Sequence, residues 1–143
     1  MKKTMSGVLL AIFAVLILTI GGCNRAGNHF NDNYDQFKKS YLAATEFIEK
    51  DKDYRKALAT IDHNQMNKEM EEMKEAYDQM GSLLKTEKEK GLHSNVTRYY
   101  QEVEFIRNTA KNLNNLTIDE KIELEFNVMS IIRDRERIIS GEV

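Results

Sequence analysis

The sequence is poor in three residue types, and each scarcity limits the folds that it can adopt. A single cysteine excludes a disulfide within one chain, so the core must be stable without one. Proline and tryptophan are both missing. A chain of 143 residues that lacks proline and is rich in Glu, Lys, Leu, Ala and Met favours helices, because these residues have high helix propensity.

The sequence also has no large excess of positive or negative charge. The chain has 21 basic and 23 acidic residues, which gives a formal net charge of −2. Lys2 and Lys3 precede the first apolar run, so the remainder of the chain is slightly more acidic than the whole. Nucleic acids and anionic surfaces attract basic proteins, so we do not expect a nucleic-acid partner.

The motifs of common catalytic and cofactor sites are missing as well. We find no P-loop, no Rossmann fingerprint and no Gly-x-Ser-x-Gly nucleophile motif. His29, His63 and His93 do not form the His-Glu-x-x-His pattern of zinc sites or the Glu-x-x-His pattern of di-iron bundles. We interpret them as exposed residues at helix ends or in loops. The sequence therefore predicts no catalytic residue, no metal site and no cofactor, and we expect that the protein is not an enzyme.

The single cysteine follows a long apolar run near the start of the chain. Two lysines come first, and residues 8–20 are then apolar except for one threonine. The run has the length of a signal-peptide core, roughly 7–15 residues, and is shorter than the about 20 residues of a membrane-spanning helix. Two glycines separate it from Cys23.

Ile20-Gly21-Gly22-Cys23 resembles the lipobox of bacterial lipoproteins, an aliphatic residue and two small residues before an invariant cysteine. The resemblance covers residues 1–23, with Ile in place of the commoner Leu. It implies that a signal peptidase recognises Ile20, Gly21 and Gly22. It also implies that the Cys23 thiol, as the nucleophile, forms a thioether to diacylglycerol and becomes the first residue of the mature protein. An uncleaved N-terminal anchor with an incidental cysteine is the alternative.

Such an anchor implies a location for the protein. Burial of acyl chains contributes about 0.8 kcal/mol per CH₂, and two chains hold a protein stably on a bilayer. We therefore expect lipid anchoring through Cys23 at the extracytoplasmic face of the cell membrane, without a transmembrane helix. In a cell with two membranes, Asn24 rather than Asp after the cysteine implies the outer membrane.

We predict three parts in the chain: residues 1–22 form a signal peptide, residues 23–29 the lipidated cysteine with a short polar tether, and residues 30–143 one helical domain. The tether reaches about 20 Å when fully extended, so the domain is expected close to the bilayer. A single domain of this length buries a modest core.

Apolar residues recur at helical spacing in the first half of this domain. A first helix is expected to begin near residues 31–33, which cap well. The pattern fails at residues 51–53 and resumes out of phase, which predicts a turn and a short second helix, with one long bent helix as the alternative. We interpret the stripes as core; a Met-rich surface for partner helices is the alternative for the third. The three stripes are Phe30, Tyr34, Phe37, Tyr41, Ala44 and Ile48; then Tyr54, Leu58 and Ile61; then Met66, Met70, Met73, Tyr77, Met80 and Leu84.

Two further helices are predicted in the second half. Lysines gather before Gly91, which we interpret as the C-cap of the third helix, and the next helix restarts at residues 94–95. The stripe of this fourth helix is Val96, Tyr99, Val103, Ile106, Ala110 and Leu113. The sequence NLNNLT breaks it, and Thr117 with Glu120 forms the capping-box pattern that begins the last helix.

The last helix is the most apolar, so we expect it to pack against several others. We interpret residues 133–137, RDRER, as a solvated surface with salt bridges. Its predicted core stripe is Ile118, Ile122, Phe126, Met129 and Ile132, widened by Leu124, Val128, Ile131, Ile138 and Ile139.

Together these features predict an all-α fold, an antiparallel bundle of three to five helices. Coiled coils use the same stripe spacing, so self-association is also considered. We expect a membrane-anchored small lipoprotein that acts as a protein-interaction or accessory module at the cell envelope, with a protein partner at the membrane surface. An exclusion or immunity factor is one form of such a module. The alternative is a lipoprotein that binds a small apolar ligand between its Tyr and Met stripes.

Overall fold

A computed structural model describes residues 29–143 of the chain. Within that range the chain forms five α-helices and two short 3₁₀ segments, and no strand. The helices are α1 (Phe30–Ala44), α2 (Tyr54–Leu58), α3 (His63–Ser82), α4 (Glu87–Thr109) and α5 (Ile118–Ser140). The predicted all-α helical bundle is therefore confirmed.

The core lies where α1, α3 and α4 meet. α1 packs most extensively on α3, and α4 contacts both helices. The predicted stripes of α1, α3 and α4 supply this core. Most of their members are buried, and the others pack against the edge of the core. The buried members are Phe30, Tyr34, Phe37, Tyr41, Ala44, Met66, Met70, Met73, Met80, Val96, Tyr99, Val103 and Ile106. Their assignment to the core is confirmed.

The link between α1 and α3 contains the predicted turn and short helix. α1 begins at Phe30, just before the predicted capping residues, and a 3₁₀ segment, Glu46–Glu49, follows it. Asp53 then has extended backbone angles and its carboxylate accepts a hydrogen bond from the Arg55 amide at 3.0 Å, which begins α2. The alternative of one long bent helix is wrong, because this cap starts a separate helix.

The boundary between α3 and α4 differs from the prediction. Gly91 is inside α4, not at the end of α3, and residues 94–95 lie further along the same helix. α4 begins instead with a capping box. The Thr86 hydroxyl accepts a hydrogen bond from the Glu89 amide at 3.1 Å, and the Glu89 carboxylate accepts one from the Thr86 amide at 2.7 Å. This box satisfies the first amides of α4 before Gly91 is reached, so the C-cap prediction is wrong.

Both ends of α5 have definite caps. The predicted box is confirmed at its start, where the Thr117 hydroxyl accepts from the Glu120 amide at 3.2 Å. At its end Gly141 is left-handed, with φ +76°. The amide of Glu142 reaches back to the carbonyl of Arg137 at 3.0 Å, which satisfies a helix-end carbonyl.

α5 lies at the edge of the core, with α4 as its principal neighbour. Its buried apolar residues are Leu124, Val128 and Ile131. We expected α5 to pack broadly against several helices; it reaches the end of α1 through Arg135. One side of α5 is consequently left outside the bundle.

Candidate functional site

The lipobox lies outside the described residues. Ile20, Gly21, Gly22 and Cys23 all precede residue 29, so their roles in processing and lipidation remain predictions. Among the helices between residues 29 and 143, none has the length and apolar character needed to cross a membrane.

The outward side of α5 carries an apolar stripe that we call the α5 apolar face, formed by Ile118, Ile122, Phe126 and Met129. These side chains are 76%, 50%, 71% and 60% exposed. The prediction that all four belong to the core is wrong, and so is the same prediction for Ile139 at the end of α5, which is also exposed.

The geometry of the helix explains this error. Each residue advances the helix by 100°, so the α5 apolar face and the buried residues Leu124, Val128 and Ile131 lie on opposite sides. Both sides have helical spacing and both are apolar. Only one of them has a neighbouring helix, and that arrangement depends on where α4 lies rather than on α5 itself.

The α5 apolar face is continuous rather than a set of scattered side chains. Its four members follow one another over three turns, about 16 Å of helix. Beside it, Phe126 and Met129 border a groove between α4 and α5 that Glu102 and Arg133 also line. A continuous exposed apolar stripe with a polar rim is typical of an interaction surface.

Charge is distributed unevenly along α5. The first half is acidic, and the second half is mainly basic. The acids of the first half are Asp119, Glu120, Glu123 and Glu125, against the single base Lys121; the second half has Arg133, Arg135 and Arg137 against Asp134 and Glu136. A partner that lies along this helix therefore meets charges of different sign at its two ends.

A buried ionic network joins α4 to α5, and we call it the Arg98 cluster: Arg98, Glu102, Ser130 and Asp134. Nη1 of Arg98 lies 2.5 Å from the Asp134 carboxylate, 2.6 Å from that of Glu102 and 3.0 Å from the Ser130 hydroxyl. The Ser130 hydroxyl donates in turn to Glu102 at 2.6 Å. The guanidinium thus donates hydrogen bonds to two carboxylates at one point of the interface.

Burial sets the electrostatics of the Arg98 cluster. Asp134 is fully buried and Glu102 nearly so, whereas the Arg98 side chain is 39% exposed. Burial raises the pKa of Glu102, and the hydrogen bond from Ser130 and the charge of Arg98 partly oppose that rise. The hydrogen bond to Asp134 raises the pKa of Arg98. We interpret the cluster as a structural contact between α4 and α5, since both carboxylates are bonded to the same guanidinium.

The interpretation of residues 133–137 as a solvated surface is wrong at its centre. Asp134 and Arg135 are buried. The sequence contains a signal for this, because Asp134 lies three residues after the core residue Ile131 and therefore on the same side of the helix.

Arg135 ties α5 to the end of α1. Its Nη1 donates to the Leu42 carbonyl at 2.5 Å and to the Thr45 hydroxyl at 2.7 Å, and its Nη2 pairs with Glu49. The Leu42 carbonyl lies in the last turn of α1, where helix carbonyls lack partners within the helix. A positive charge at that position also complements the helix dipole.

The histidines do not converge on one site. His29 precedes α1 and is exposed, as predicted, whereas His63 begins α3 as predicted but is only partly exposed. His93 differs from the prediction, because it lies inside α4, half-buried, with its ring stacked on Tyr77 at 4.4 Å between centroids. Within residues 29–143 no three His, Cys, Asp or Glu side chains are grouped as metal ligands would be.

The Tyr and Met stripes pack against one another in the core. Met66, Met70, Met73 and Met80 are almost completely buried, and the Tyr41 and Tyr99 rings lie 5.2 Å apart between centroids. Burial raises the pKa of Tyr41, and that of Tyr34 to about 12, so these hydroxyls remain protonated at neutral pH. Binding of an apolar ligand between the stripes remains a prediction, and it requires these side chains to move apart.

Comparisons with known proteins define no class for this chain. No protein-family model, no curated protein and no solved structure matches it. Within residues 29–143, the α5 apolar face is the surface that most clearly indicates a function.

Proposed function

We propose that this protein is a membrane-anchored small lipoprotein that acts as a protein-interaction or accessory module at the cell envelope, with the α5 apolar face as its contact surface. The observation that supports this proposal is the exposure of four large apolar side chains on one side of a helix whose other side is core. Binding one protein surface to another removes such a stripe from water.

The N-terminal sequence supports the membrane location. A thioether-linked lipid on Cys23 would hold the protein on the bilayer, and only a short tether separates it from α1 at Phe30. Confinement near the bilayer raises the effective concentration of a partner in the same membrane. A modest apolar contact surface is then sufficient for association.

A binding role fits the described chemistry better than catalysis does. The charged side chains of the Arg98 cluster are bonded to one another and form part of a helix interface. We therefore propose an accessory to an envelope complex, or a module of the exclusion or immunity type that blocks an incoming element.

The experiment is in-cell cross-linking with three variants. Cells express the wild-type chain, Cys23→Ser, Phe126→Asp, or the control Ser94→Asp, which adds the same charge at an exposed position of α4. We expect wild type and Ser94→Asp in the membrane fraction, with one and the same cross-linked partner. Cys23→Ser should lose both the membrane and the partner. Phe126→Asp should stay on the membrane and lose only the partner.

Two outcomes contradict the proposal separately. Recovery of the wild-type chain in the soluble fraction overturns the lipid anchor. An unchanged cross-link in Phe126→Asp overturns the α5 apolar face as the contact surface.

A further inference from the structure

The charged residues on the same side of α5 as the apolar face are placed symmetrically about Phe126, and this arrangement indicates which partner binds there. Asp119, Phe126 and Arg133 are spaced seven residues apart, so they lie on one side of α5, about 10 Å from each other along the helix. All three are exposed. An acid and a base are therefore placed at equal distances on either side of a central aromatic ring.

This spacing is self-complementary when two helices run antiparallel. With Phe126 of each copy at the two-fold axis, Asp119 of one copy lies opposite Arg133 of the other, and the relation holds in both directions. Ile122 of each copy then lies near Met129 of the other, so apolar side chains meet between the two ion pairs. A two-fold interface requires this reciprocity, since the same patch must serve both copies.

The parallel arrangement has the opposite electrostatics. It would place the acidic half of one α5 beside the acidic half of the other, and the basic half beside the basic half. The antiparallel arrangement pairs opposite charges and also opposes the two helix dipoles. Charge complementarity thus selects one relative direction of the helices.

Arg133 is able to take part without loss of its contacts within the chain. Its Nη2 donates to the Ser130 hydroxyl at 3.0 Å, and its Nε lies 3.6 Å from the Asp134 carboxylate. Its side chain is nevertheless 63% exposed, and a guanidinium has further N–H donors for a second carboxylate.

We infer that the partner on the α5 apolar face is a second copy of this chain, held antiparallel about Phe126. This inference rests on the proposed function, since it names the partner of that same surface. Apolar side chains supply the contact, and the reciprocal pairs of Asp119 with Arg133 determine register and direction.

The test uses engineered cysteines in the full chain, expressed in cells and oxidised on the membrane. A disulfide requires Cα atoms roughly 4.4–6.8 Å apart, so it reports close approach in one register. The variants are Phe126→Cys, Asp119→Cys and Arg133→Cys. Wild type measures any disulfide through Cys23, and Glu71→Cys, at an exposed position of α3, measures random collision.

We expect Phe126→Cys to form a disulfide-linked dimer and Glu71→Cys to remain at the wild-type background. Co-expressed Asp119→Cys and Arg133→Cys chains with different tags should form the mixed dimer. Asp119→Cys alone should not pair with itself, because the two positions lie about 21 Å apart along antiparallel helices. Phe126 is 71% exposed, so its substitution leaves the core intact.

Two results overturn this inference. In the first, the Phe126→Cys chain forms no more disulfide-linked dimer than the Glu71→Cys chain does. This result excludes a second copy on the α5 apolar face, and another protein or lipid would then cover it. The other is self-pairing of Asp119→Cys, which indicates parallel helices. If the first result occurs while Phe126→Asp still loses a different protein in the in-cell cross-linking, the second copy is excluded and the proposed function stands.

Discussion

At the scale of single residues, Asp134 is the side chain on which the joint between α4 and α5 most depends. It is fully buried and bonded to Arg98 at 2.5 Å. A buried carboxylate is costly unless it is paired and hydrogen-bonded, and Arg98 supplies both the opposite charge and the hydrogen bond to Oδ2 of Asp134. A search for apolar residues at helical spacing does not identify a core residue such as Asp134, because its side chain is polar.

Asp134→Asn should therefore destabilise the fold. The substitution keeps the volume but places an amide without charge beside Arg98, and we expect the free energy of unfolding to fall by about 1–3 kcal/mol. Urea denaturation followed by circular dichroism measures the change. Glu136→Gln, at an exposed position of the same helix, is the control and should stay within about 0.5 kcal/mol of wild type. Equal losses in the two variants would contradict the role of Asp134.

The pH dependence of stability should show the burial of Glu102. Because burial raises its pKa, the native state binds this proton more readily than the unfolded state does. The contribution of Glu102 to stability is thus greatest at low pH and declines as pH rises from its unfolded pKa, about 4.3, through its raised native pKa. The free energy of unfolding of the wild-type protein, relative to that of Glu102→Gln, should therefore fall as the pH rises across that range.

Denaturation midpoints of both proteins over a series of pH values measure this difference. Glu136→Gln removes the same charge at an exposed site and serves as the comparison. A wild-type protein that gained stability relative to Glu102→Gln as pH rose would show that the native pKa is lowered instead.

At the scale of the elements, capping side chains decide where the helices begin. Thr86 with Glu89 and Thr117 with Glu120 start α4 and α5 by the same geometry. Both carboxylates accept backbone hydrogen bonds, which lowers the pKa of Glu89 and of Glu120. Both boxes have the Thr-x-x-Glu spacing in the sequence, and the box at Thr86 is incompatible with the predicted role of Gly91 as the end of α3.

Gly91, inside α4, and Gly141, just after the end of α5, should respond to substitution by alanine with opposite changes in stability. Gly91 is inside α4, and an added Cβ would meet nothing within 4 Å, so Gly91→Ala should raise stability by about 0.5–1 kcal/mol. Gly141 has a left-handed φ of +76°, so Gly141→Ala should lower it by roughly 1 kcal/mol. Thermal and urea unfolding of the pair measure the signs. A loss in Gly91→Ala would place that residue at a helix end after all.

At the scale of the whole molecule, the position of α4 decides which side of α5 is core. α5 has two apolar sides, and the bundle covers one of them. The contacts of the Arg98 cluster and of Arg135 fix the rotation of α5 about its own axis. A rotation that turned its buried side outward would expose Ile131 and separate Asp134 from the Arg98 guanidinium. The α5 apolar face is therefore a consequence of packing and polar pairing together.

A matched pair of isoleucines tests this orientation. Ile131 is completely buried and Ile118 is 76% exposed on the same helix. Ile131→Ala should cost about 2–5 kcal/mol in the free energy of unfolding, because it leaves a cavity. Ile118→Ala should stay within about 0.5 kcal/mol of wild type when measured in dilute protein. Similar losses at both positions would mean that α5 buries its other side too.

Local chemistry in the sequence is enough to predict the helical class, most of the core and the breaks on either side of α2 and before α5. These follow from local chemistry, namely apolar residues at helical spacing, Asp and Thr at caps, and the lack of proline. It also carries the lipobox prediction, which depends on a contiguous motif. The burial of Phe37, Met73 and Val103 is predictable because their helices each have one apolar side.

Contacts between residues distant in the chain determine which side of α5 faces water and which partners the charges of residues 133–137 have. Ile122 and Val128 are equally apolar in the sequence, and their difference in burial arises from a neighbour distant in the chain. Asp134 is buried because Arg98, on another helix, reaches it. A helix with two apolar sides has no local feature that selects one of them, so long-range packing selects the side that becomes available for a partner.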